Sequence, residues 1–386
     1  MTNRERIKHV LHYEEYDRLP VVHFGYWYET LVKWANEGHI TEEQAKGWGD
    51  GNTIDVAISK KLGFDCDWSC QFGGHSNLSP AFEPKVIREF PDGSRHVMNG
   101  EGVIELDVPG AVSIKSEIEH TLKDRASWEE HYKPRLQWSE QRITDAWVRV
   151  SDDKALQWKN GGMEWLKRNE RDFFLGIWCG SLYGSFRNIV GVENTAYLLM
   201  DDEPLFDEML DTYADLAYRN IEYILTRVGG VFDFAHYWED ICFKTGPLVA
   251  PDVFRAKVGP HYKRMTDLLL RYGIDIVSLD CDGCIDALVP IWFENGVNTM
   301  FPIEVGTWNA SIEPWRKQYG KELRGVGGMN KVVFGRDRAA IDAEVERLRK
   351  LVDLGGYIPC PDHRIAPDGK WDLVRYYCDR MHKVFG

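Results

Sequence analysis

The sequence lacks any apolar run long enough to span a membrane, and its first residues lack the apolar stretch of a secretory signal. It also lacks a net positive charge. Its 47 Lys and Arg residues are outnumbered by 61 Asp and Glu residues, which leaves a formal charge of −14 at pH 7. A chain of this charge is repelled by phosphate backbones and by anionic lipid. We therefore expect a cytoplasmic protein with no nucleic-acid partner and no membrane partner.

Cysteine is sparse for a protein built on disulfides, since eight residues are spread over 386 positions. This predicts reduced thiols or metal ligands. The sequence contains no Gly-x-Gly-x-x-Gly, no P-loop and no Gly-x-Ser-x-Gly, so nucleotide-binding and α/β-hydrolase functions lack support. The chain does contain 44% hydrophobic and 28% charged residues, which is typical of a globular protein.

Short apolar runs alternate with longer amphipathic segments along most of the chain, and this alternation predicts βαβ units with a parallel sheet. The helical segments have apolar residues at three- and four-residue spacing, as in Glu203–Val228, Pro251–Tyr272 and Arg338–Leu354. Eight strands are predicted, the number in a (β/α)8 TIM barrel. They are Leu19–Phe24, Phe64–Trp68, Phe173–Trp178, Val231–Trp238, Ile274–Cys281, Asn298–Val305, Arg324–Asn330 and Tyr357–Asp362.

Two segments interrupt this rhythm. Residues 84–114 alternate apolar and polar side chains around Pro91-Asp92-Gly93-Ser94, which predicts an antiparallel β-hairpin inserted after the second strand. Residues 127–168, rich in Trp, Glu, Lys and Arg, predict an additional helical segment. Since no internal repeat or linker is visible, we predict one barrel domain over residues 1–386.

The residues that follow the predicted strands are unusually polar, and barrel enzymes carry their active sites at that end of the strands. Asp280 and Asp282 follow one apolar run, and alternation along the strand points both toward the barrel mouth. Two adjacent carboxylates repel each other unless a cation, a proton or substrate donors lie between them. A pair of solvated loop aspartates is the alternative.

A metal site is the chemistry that this pattern favours. Asp280, Asp282 and His363 form the predicted ligand set, with Glu239 or His236 as further candidates, and such a set suits zinc first, or manganese or iron(II). Cys281-x-x-Cys284 and Cys360-x-x-His363 resemble a four-ligand zinc pattern. Strand alternation turns Cys281 away from Asp280 and Asp282, so a closed structural zinc site is not expected.

The remaining strand-end residues supply candidates for catalysis and for substrate binding. We predict Asp280, Glu239 and Asp65 as catalytic groups. Glu239 could equally be a helix N-terminal charge in a salt bridge, and Lys331 and Arg364 could be plain ion-pair partners. The predicted substrate-binding residues are His236, Trp238, Glu304, Asn330, Lys331 and Arg364.

Six segments carry a resemblance to a known family, in an order that spans nearly the whole chain. They are Arg4–Pro20, Gly191–Pro204, Glu239–Phe254, Asp280–Gly283, Gly327–Lys331 and Gly355–Pro367. In these the chain resembles the uroporphyrinogen decarboxylase superfamily, whose members include decarboxylases and corrinoid-dependent methyltransferases on one barrel. The resemblance implies a (β/α)8 enzyme of one of these two kinds.

The chain departs from both branches at defined positions. True uroporphyrinogen decarboxylases carry an Arg-Gln-Ala-Gly-Arg segment after the first strand, where this chain has Val22–Tyr28 without arginine. The methyltransferase branch binds zinc through His-x-Cys and a distant Cys, where this chain has Asp280, Asp282 and His363. The resemblance is closer to the methyltransferase-like branch.

Three functions follow from this resemblance. The first is methyl transfer from a small methylated or methoxylated substrate to or from a corrinoid protein, with a divalent metal, zinc, at the mouth. The second is a carboxy-lyase acting on a smaller acid than a porphyrinogen. The third, a non-catalytic subunit that binds a corrinoid or tetrapyrrole, is disfavoured by the polar mouth.

Overall fold

The computed structural model of the chain describes residues 1–110 and 115–386. Its strands, in chain order, are β1 (Val22–His23), β2 (Cys66–Asp67), β3 (Gln71–Phe72), β4 (Lys85–Glu89), β5 (Arg95–Met98), β6 (Val103–Asp107), β7 (Ser116–His120), β8 (Trp147–Arg149), β9 (Ala155–Gln157), β10 (Gly176–Trp178), β11 (Phe234–Trp238), β12 (Cys242–Phe243), β13 (Gly246–Pro247), β14 (Val277–Asp280), β15 (Thr299–Ile303), β16 (Arg324–Met329) and β17 (Tyr357–Pro361).

The α-helices are, in chain order, α1 (Asn3–His12), α2 (Tyr28–Asn36), α3 (Glu42–Gly47), α4 (Thr53–Leu62), α5 (Arg125–Ser127), α6 (Gln141–Thr144), α7 (Gly162–Arg168), α8 (Tyr183–Val190), α9 (Val192–Asp201), α10 (Glu203–Val228), α11 (Pro251–Lys257), α12 (Gly259–Arg271), α13 (Val289–Glu294), α14 (Val305–Trp308), α15 (Ile312–Tyr319), α16 (Arg338–Val352) and α17 (Trp371–Val384). Among the helices of the described residues, none has both the length and the apolar character that a membrane span requires.

Seven strands form a central parallel sheet in the spatial order β17-β16-β15-β14-β11-β10-β3. With the helices that connect its strands, this mixed α/β arrangement fits a TIM-barrel-like fold. Each of the eight predicted strands contains an observed strand. The observed strands are shorter because the hydrogen-bonded ladder ends before the apolar runs do.

The first strand lies outside the seven-stranded sheet. β1 pairs in parallel with β2, and an isolated parallel bridge joins Tyr26 to Ile365, beyond the end of β17. The backbone N–H of Ile365 donates to the Gly25 carbonyl, and that of Trp27 donates to the Ile365 carbonyl. The residues after β1 are therefore held beside those after β17.

The long helix α10 shows why the crossover helices form where they do. The Asp202 side chain accepts a hydrogen bond from the Leu205 amide and caps the helix, and Pro204 stands in its first turn. Its buried residues recur at three- and four-residue spacing from Leu205 to Val228 and pack toward the sheet. The predicted helix has the observed bounds.

Residues 85–120 lie between β3 and β10 and contain an antiparallel sheet in the order β4-β5-β6-β7. The turn between β4 and β5 closes with a hydrogen bond from the Phe90 amide to the Ser94 carbonyl, with Gly93 at φ 81°. The predicted hairpin range of 84–114 ends short of β7. Its last four residues, 111–114, are outside the described part of the chain.

The segment 127–168 is less helical than predicted. It contains helical turns over Trp128–Tyr132, Lys133–Leu136 and Trp158–Asn160, the short helices α6 and α7, and an antiparallel pair, β8 with β9. The turn at Ser151–Lys154 carries two consecutive aspartates and closes with hydrogen bonds to the Lys154 carbonyl, which favours a hairpin over a continuous helix.

Candidate active site

The neighbouring strands β11 and β14 turn matching residues to one side of the sheet. His236 is in register with Ser278, and Trp238 with Asp280. Residues in register on parallel strands share a face, so these four side chains point to the same side. Asp240, two residues after Trp238, also lies on this side, since its carboxylate meets those of Asp280 and Asp282.

Ser278 anchors the lower part of this face. Its hydroxyl lies 3.1 Å from Nδ1 of His236 and accepts a hydrogen bond of 3.1 Å from the indole N–H of Trp68. Burial lowers the pKa of His236 to about 3, so the imidazole is neutral at physiological pH. His236 therefore adds a polar but uncharged group to the site.

Three carboxylates meet above this layer. Asp240, Asp280 and Asp282 each place an oxygen within 4.8 Å of the others. The Asp282 amide donates to Oδ1 of Asp240 at 3.0 Å, and Asp240 itself has φ 48°, a left-handed conformation uncommon outside glycine. Backbone strain of this kind tends to occur at functional sites.

Two oxygens of this acidic cluster, Oδ1 of Asp280 and Oδ1 of Asp282, are buried and have no hydrogen-bond partner among the described residues. Burial, and then the charges of Asp240 and Asp282, raise the pKa of Asp280 well above its ordinary value. Burial, and then Asp282, raise the pKa of Asp240 to about 7. Unpaired buried carboxylates are costly, and a bound cation removes that cost.

His363 joins the cluster from the loop after β17. Its Nε2 lies 2.9 Å from Oδ2 of Asp282, and its Nδ1 is buried without a partner in the described residues. The ring stacks on Trp27 with centroids 5.2 Å apart and an angle of 21°. Beside it, Arg364 donates to Asp50 at 2.7 Å.

These residues line one cavity of about 530 Å³, a size suited to a small ligand. Four of its lining residues are aspartates, and the half-buried indoles of Trp27, Trp178 and Trp238 add aromatic surface. The lining residues are Phe24, Trp27, Asp50, Ser69, Gln71, Trp178, His236, Trp238, Asp240, Asp280, Asp282, His363 and Arg364. The structure thus brings together Asp280, Asp282, His363, His236, Trp238 and Arg364 from the predicted site.

Glu239 is not part of this cavity, because it points to the opposite side of β11. Its carboxylate accepts hydrogen bonds from the amides of Leu182 and Gly184 and from the hydroxyl of Tyr262. The side chain is fully buried, which raises its pKa. The prediction that placed Glu239 at the mouth is corrected: it ties β11 to α8 and α12, and Asp240 occupies the position expected for it.

Asp65 also lies elsewhere, at the beginning of β2 and not at its end. Both carboxylate oxygens accept hydrogen bonds of 2.7 Å from the guanidinium of Arg18, and one accepts a third from the Val21 amide at 2.8 Å. These contacts hold the chain before β1 against β2. Asp65 lines a different cavity, of about 380 Å³, and so lies apart from the acidic cluster that it was predicted to join.

Glu304, Asn330 and Lys331 stand at strand ends, as predicted, but the side chains of Glu304 and Asn330 form hydrogen bonds within the protein. Glu304 accepts hydrogen bonds from the Gly283 amide at 2.5 Å and from the Thr307 hydroxyl at 2.8 Å. Oδ1 of Asn330 caps its own loop by accepting from the Val332 amide at 3.1 Å. None of the three lines the 530 Å³ cavity. Glu304 supports the loop that carries Asp282.

Sequence reasoning considered Asp240 but chose its neighbour Glu239, and it missed Asp50. The signal for Asp240 was present: His236, Trp238 and Asp240 have the same two-residue spacing that identified Asp280 and Asp282. Asp50 carried no such signal, because it lies in the loop between α3 and α4, which no strand pattern places.

A second group of ligand-type residues, His23, Asp55 and Asp67, lies buried near β1 and β2. Here the Gly25 amide donates to Nδ1 of His23 at 2.9 Å, which leaves the ring proton on Nε2. Nε2 in turn lies 2.7 Å from the Ser59 hydroxyl and 3.6 Å from Asp55. A protonated nitrogen does not bind a metal, so this group fits a cation less well than the acidic cluster does.

Comparison with known proteins identifies the fold. No protein-family model matches the chain, and no curated protein matches it significantly in sequence. A solved structure of a methyltransferase from Methanosarcina mazei matches with a TM-score of 0.61 at 14% identity, covering 99% of each chain. The likeness shows a shared fold over the full length of both chains.

Two B12-independent methionine synthases give partial matches. The putative enzyme from Listeria monocytogenes matches with a TM-score of 0.32 at 15% identity, over 55% of this chain and 64% of that one. The enzyme from Shewanella sp. W3-18-1 matches with a TM-score of 0.34 at 13% identity, over 60% and 69%. These scores do not define a common fold.

Proposed function

We propose that the protein is a methyltransferase of the uroporphyrinogen decarboxylase superfamily. It would be a single, closed (β/α)8 barrel that moves a methyl group from a small methylated or methoxylated substrate to or from a corrinoid protein. The observation that carries the proposal is the meeting of Asp240, Asp280 and Asp282 in a tryptophan-lined cavity, with unpartnered buried oxygens on Asp280 and Asp282. The fold shared with a methyltransferase is consistent with it.

A divalent cation fits this donor set. Asp240, Asp280 and Asp282 would hold it through oxygen, and His363 would either orient Asp282 or bind through a ring nitrogen. Zinc is the expected metal in either case, because it binds carboxylate oxygen as well as imidazole nitrogen, and manganese is the alternative for a site of carboxylates alone. When bound, the metal would supply Lewis-acid binding and polarisation of a polar group of the substrate, such as an oxygen atom.

The protein's own groups have separate tasks in this proposal. His363 restrains the Asp282 carboxylate, and the left-handed backbone at Asp240 directs its side chain toward the other two. The indoles of Trp27, Trp178 and Trp238 reduce the water around the substrate, which strengthens every electrostatic interaction in the cavity. Arg364, paired with Asp50, fixes one rim of the mouth.

The test combines metal content with demethylation. Wild-type protein purified in zinc should contain about one metal ion per chain by mass spectrometry, and Asp280→Asn and Asp282→Asn should lose it. With a methylated donor and reduced cobalamin, the wild type should release demethylated product and both variants should not. Asp252→Asn, an exposed change in the first turn of α11, should behave as wild type. A metal-free wild type that demethylates as well as the loaded protein would refute the proposal.

One observation favours the alternative of a carboxy-lyase. The pKa of Asp280 is raised well above its ordinary value, so in the absence of a cation this carboxyl can hold a proton and donate it to a carbanion. Release of carbon dioxide from a candidate acid by metal-free protein, lost in Asp280→Asn, would favour this function over methyl transfer.

A further inference from the structure

The charge of the cavity restricts what can bind beside the metal. Four carboxylates line it, those of Asp50, Asp240, Asp280 and Asp282, and Arg364 neutralises Asp50 at 2.7 Å. A divalent ion on the other three would leave an excess of one negative charge. An anionic substrate would meet this charge in a partly desolvated space, where repulsion is poorly screened.

Aromatic side chains line the same space. Trp238 is in register with Asp280 on the neighbouring strand, so an indole and a carboxylate stand side by side on one face of the sheet. Asp280 is 6% exposed, and its Oδ1 has no hydrogen-bond partner in the part of the chain described. Trp178 and Trp27 line the cavity as well, and both are half-buried.

We propose that the substrate group bound in this cavity is a methylated ammonium cation, held between the indole of Trp238 and the carboxylate of Asp280. The inference rests on the proposed function and names its substrate class. Indole faces attract alkylammonium groups through their electron density, and a nearby carboxylate adds a direct charge interaction. A neutral ether would gain the aromatic contact alone, and a carboxylated donor would be repelled.

The chemistry of methyl transfer agrees with this substrate. When a methyl group leaves a quaternary ammonium, the electron pair of the C–N bond stays on nitrogen, and a neutral tertiary amine departs without needing a proton. The reduced corrinoid that accepts the methyl group provides the electron pair of the new cobalt–carbon bond. The positive charge thus leaves the donor during the step, and the donor loses its attraction to the acidic cluster, which favours release of the amine.

The experiment compares a cation with its neutral isostere. Binding of choline and of 3,3-dimethylbutan-1-ol, which replaces the nitrogen by carbon, is measured by calorimetry on zinc-loaded protein. We expect choline to bind at least tenfold more tightly. Trp238→Leu should weaken choline roughly 2- to 30-fold, the range of a cation–aromatic contact, without loss of zinc. Trp147→Leu, which changes a side chain 64% exposed and outside the cavity, should have no effect.

The outcomes separate this inference from the proposed function. Equal binding of the two probes, or no binding of choline to zinc-loaded protein, overturns the inference even if a methoxylated donor is demethylated. Selective binding of choline, weakened by Trp238→Leu, supports the ammonium site even if no demethylation occurs, and then the proposed methyl transfer is what fails. If Trp238→Leu loses zinc, Trp178→Leu replaces it, with the same criterion.

Discussion

Nε2 of His363 lies 2.9 Å from Oδ2 of Asp282, and this contact joins the loop after β17 to the loop after β14. The two residues are 81 positions apart in sequence. Their meeting follows from the parallel sheet, which brings the carboxyl ends of its strands to one edge. The contact restrains one carboxylate of the acidic cluster.

We expect His363→Ala to weaken zinc binding without abolishing it. Removing a group that orients a metal ligand typically costs about 10- to 100-fold in affinity, whereas Asp282→Asn removes the ligand charge itself. Competition with a chelator of known affinity measures both variants. If His363→Ala loses zinc as completely as Asp282→Asn does, the imidazole is itself a ligand.

The second prediction concerns pH. The pKa of Asp240 is raised from 3.8 to about 7 in the folded protein, so the folded state holds a proton that the unfolded state releases. The free energy of unfolding of metal-free protein should therefore fall as pH rises from about 4 to about 7. Above that range the folded state carries the full free-energy cost of ionising the buried Asp240 carboxyl. Asp240→Asn removes this cost.

Unfolding in urea with a chelator present should show Asp240→Asn to be more stable than wild type by roughly 1–2 kcal/mol at pH 8. The gain should shrink at pH 5, where the wild-type carboxyl is protonated. In excess zinc the order should reverse, because the wild type alone gains the binding free energy. A gain of the same size at both pH values would contradict the charge repulsion.

Glu239 offers the matched comparison, since it is the neighbour of Asp240 and faces the other way. Glu239→Gln places an amide where two backbone amides and the Tyr262 hydroxyl donate, so we expect a loss of roughly 1–3 kcal/mol in unfolding free energy. Zinc affinity should stay within about twofold of wild type once folded protein is selected. A loss of zinc binding with an unchanged free energy of unfolding would show that Glu239 belongs to the metal site.

The contrast between these neighbours shows what the sequence can determine. The two-residue period of a strand separates inward from outward side chains, so it identifies Trp238 and Asp280 correctly and would have chosen Asp240 over Glu239. The same reasoning fails at Asp65, because its position before or after a two-residue strand decides at which end of that strand it lies.

Tertiary contacts decide which of the other strand-end and loop residues reach the cavity. Glu304 and Asn330 follow their strands, as catalytic residues do, yet backbone amides and a hydroxyl engage their oxygens. Asp50 reaches the cavity from a helix-connecting loop through its pairing with Arg364. Such contacts depend on loop conformations that hydrophobic periodicity does not encode.

A glycine beside the acidic cluster gives the fourth prediction. Gly283 has φ 87°, and a Cβ there would lie 2.5 Å from the carbonyl oxygen of Cys242. Gly283→Ala should cost roughly 1–3 kcal/mol of stability and, by displacing the adjacent Asp282, weaken zinc binding. Gly229→Ala has a similar backbone angle, φ 75°, in open space. It should lose stability through strain but keep wild-type zinc affinity.

Anomalous diffraction from crystals grown with zinc shows directly whether the acidic cluster binds a metal ion. We expect one strong peak at bonding distance from oxygens of Asp240, Asp280 and Asp282 in the wild type, and no such peak in Asp280→Asn. A peak at His23, Asp55 and Asp67 with none at the acidic cluster, or no peak in zinc-saturated crystals, would contradict this expectation.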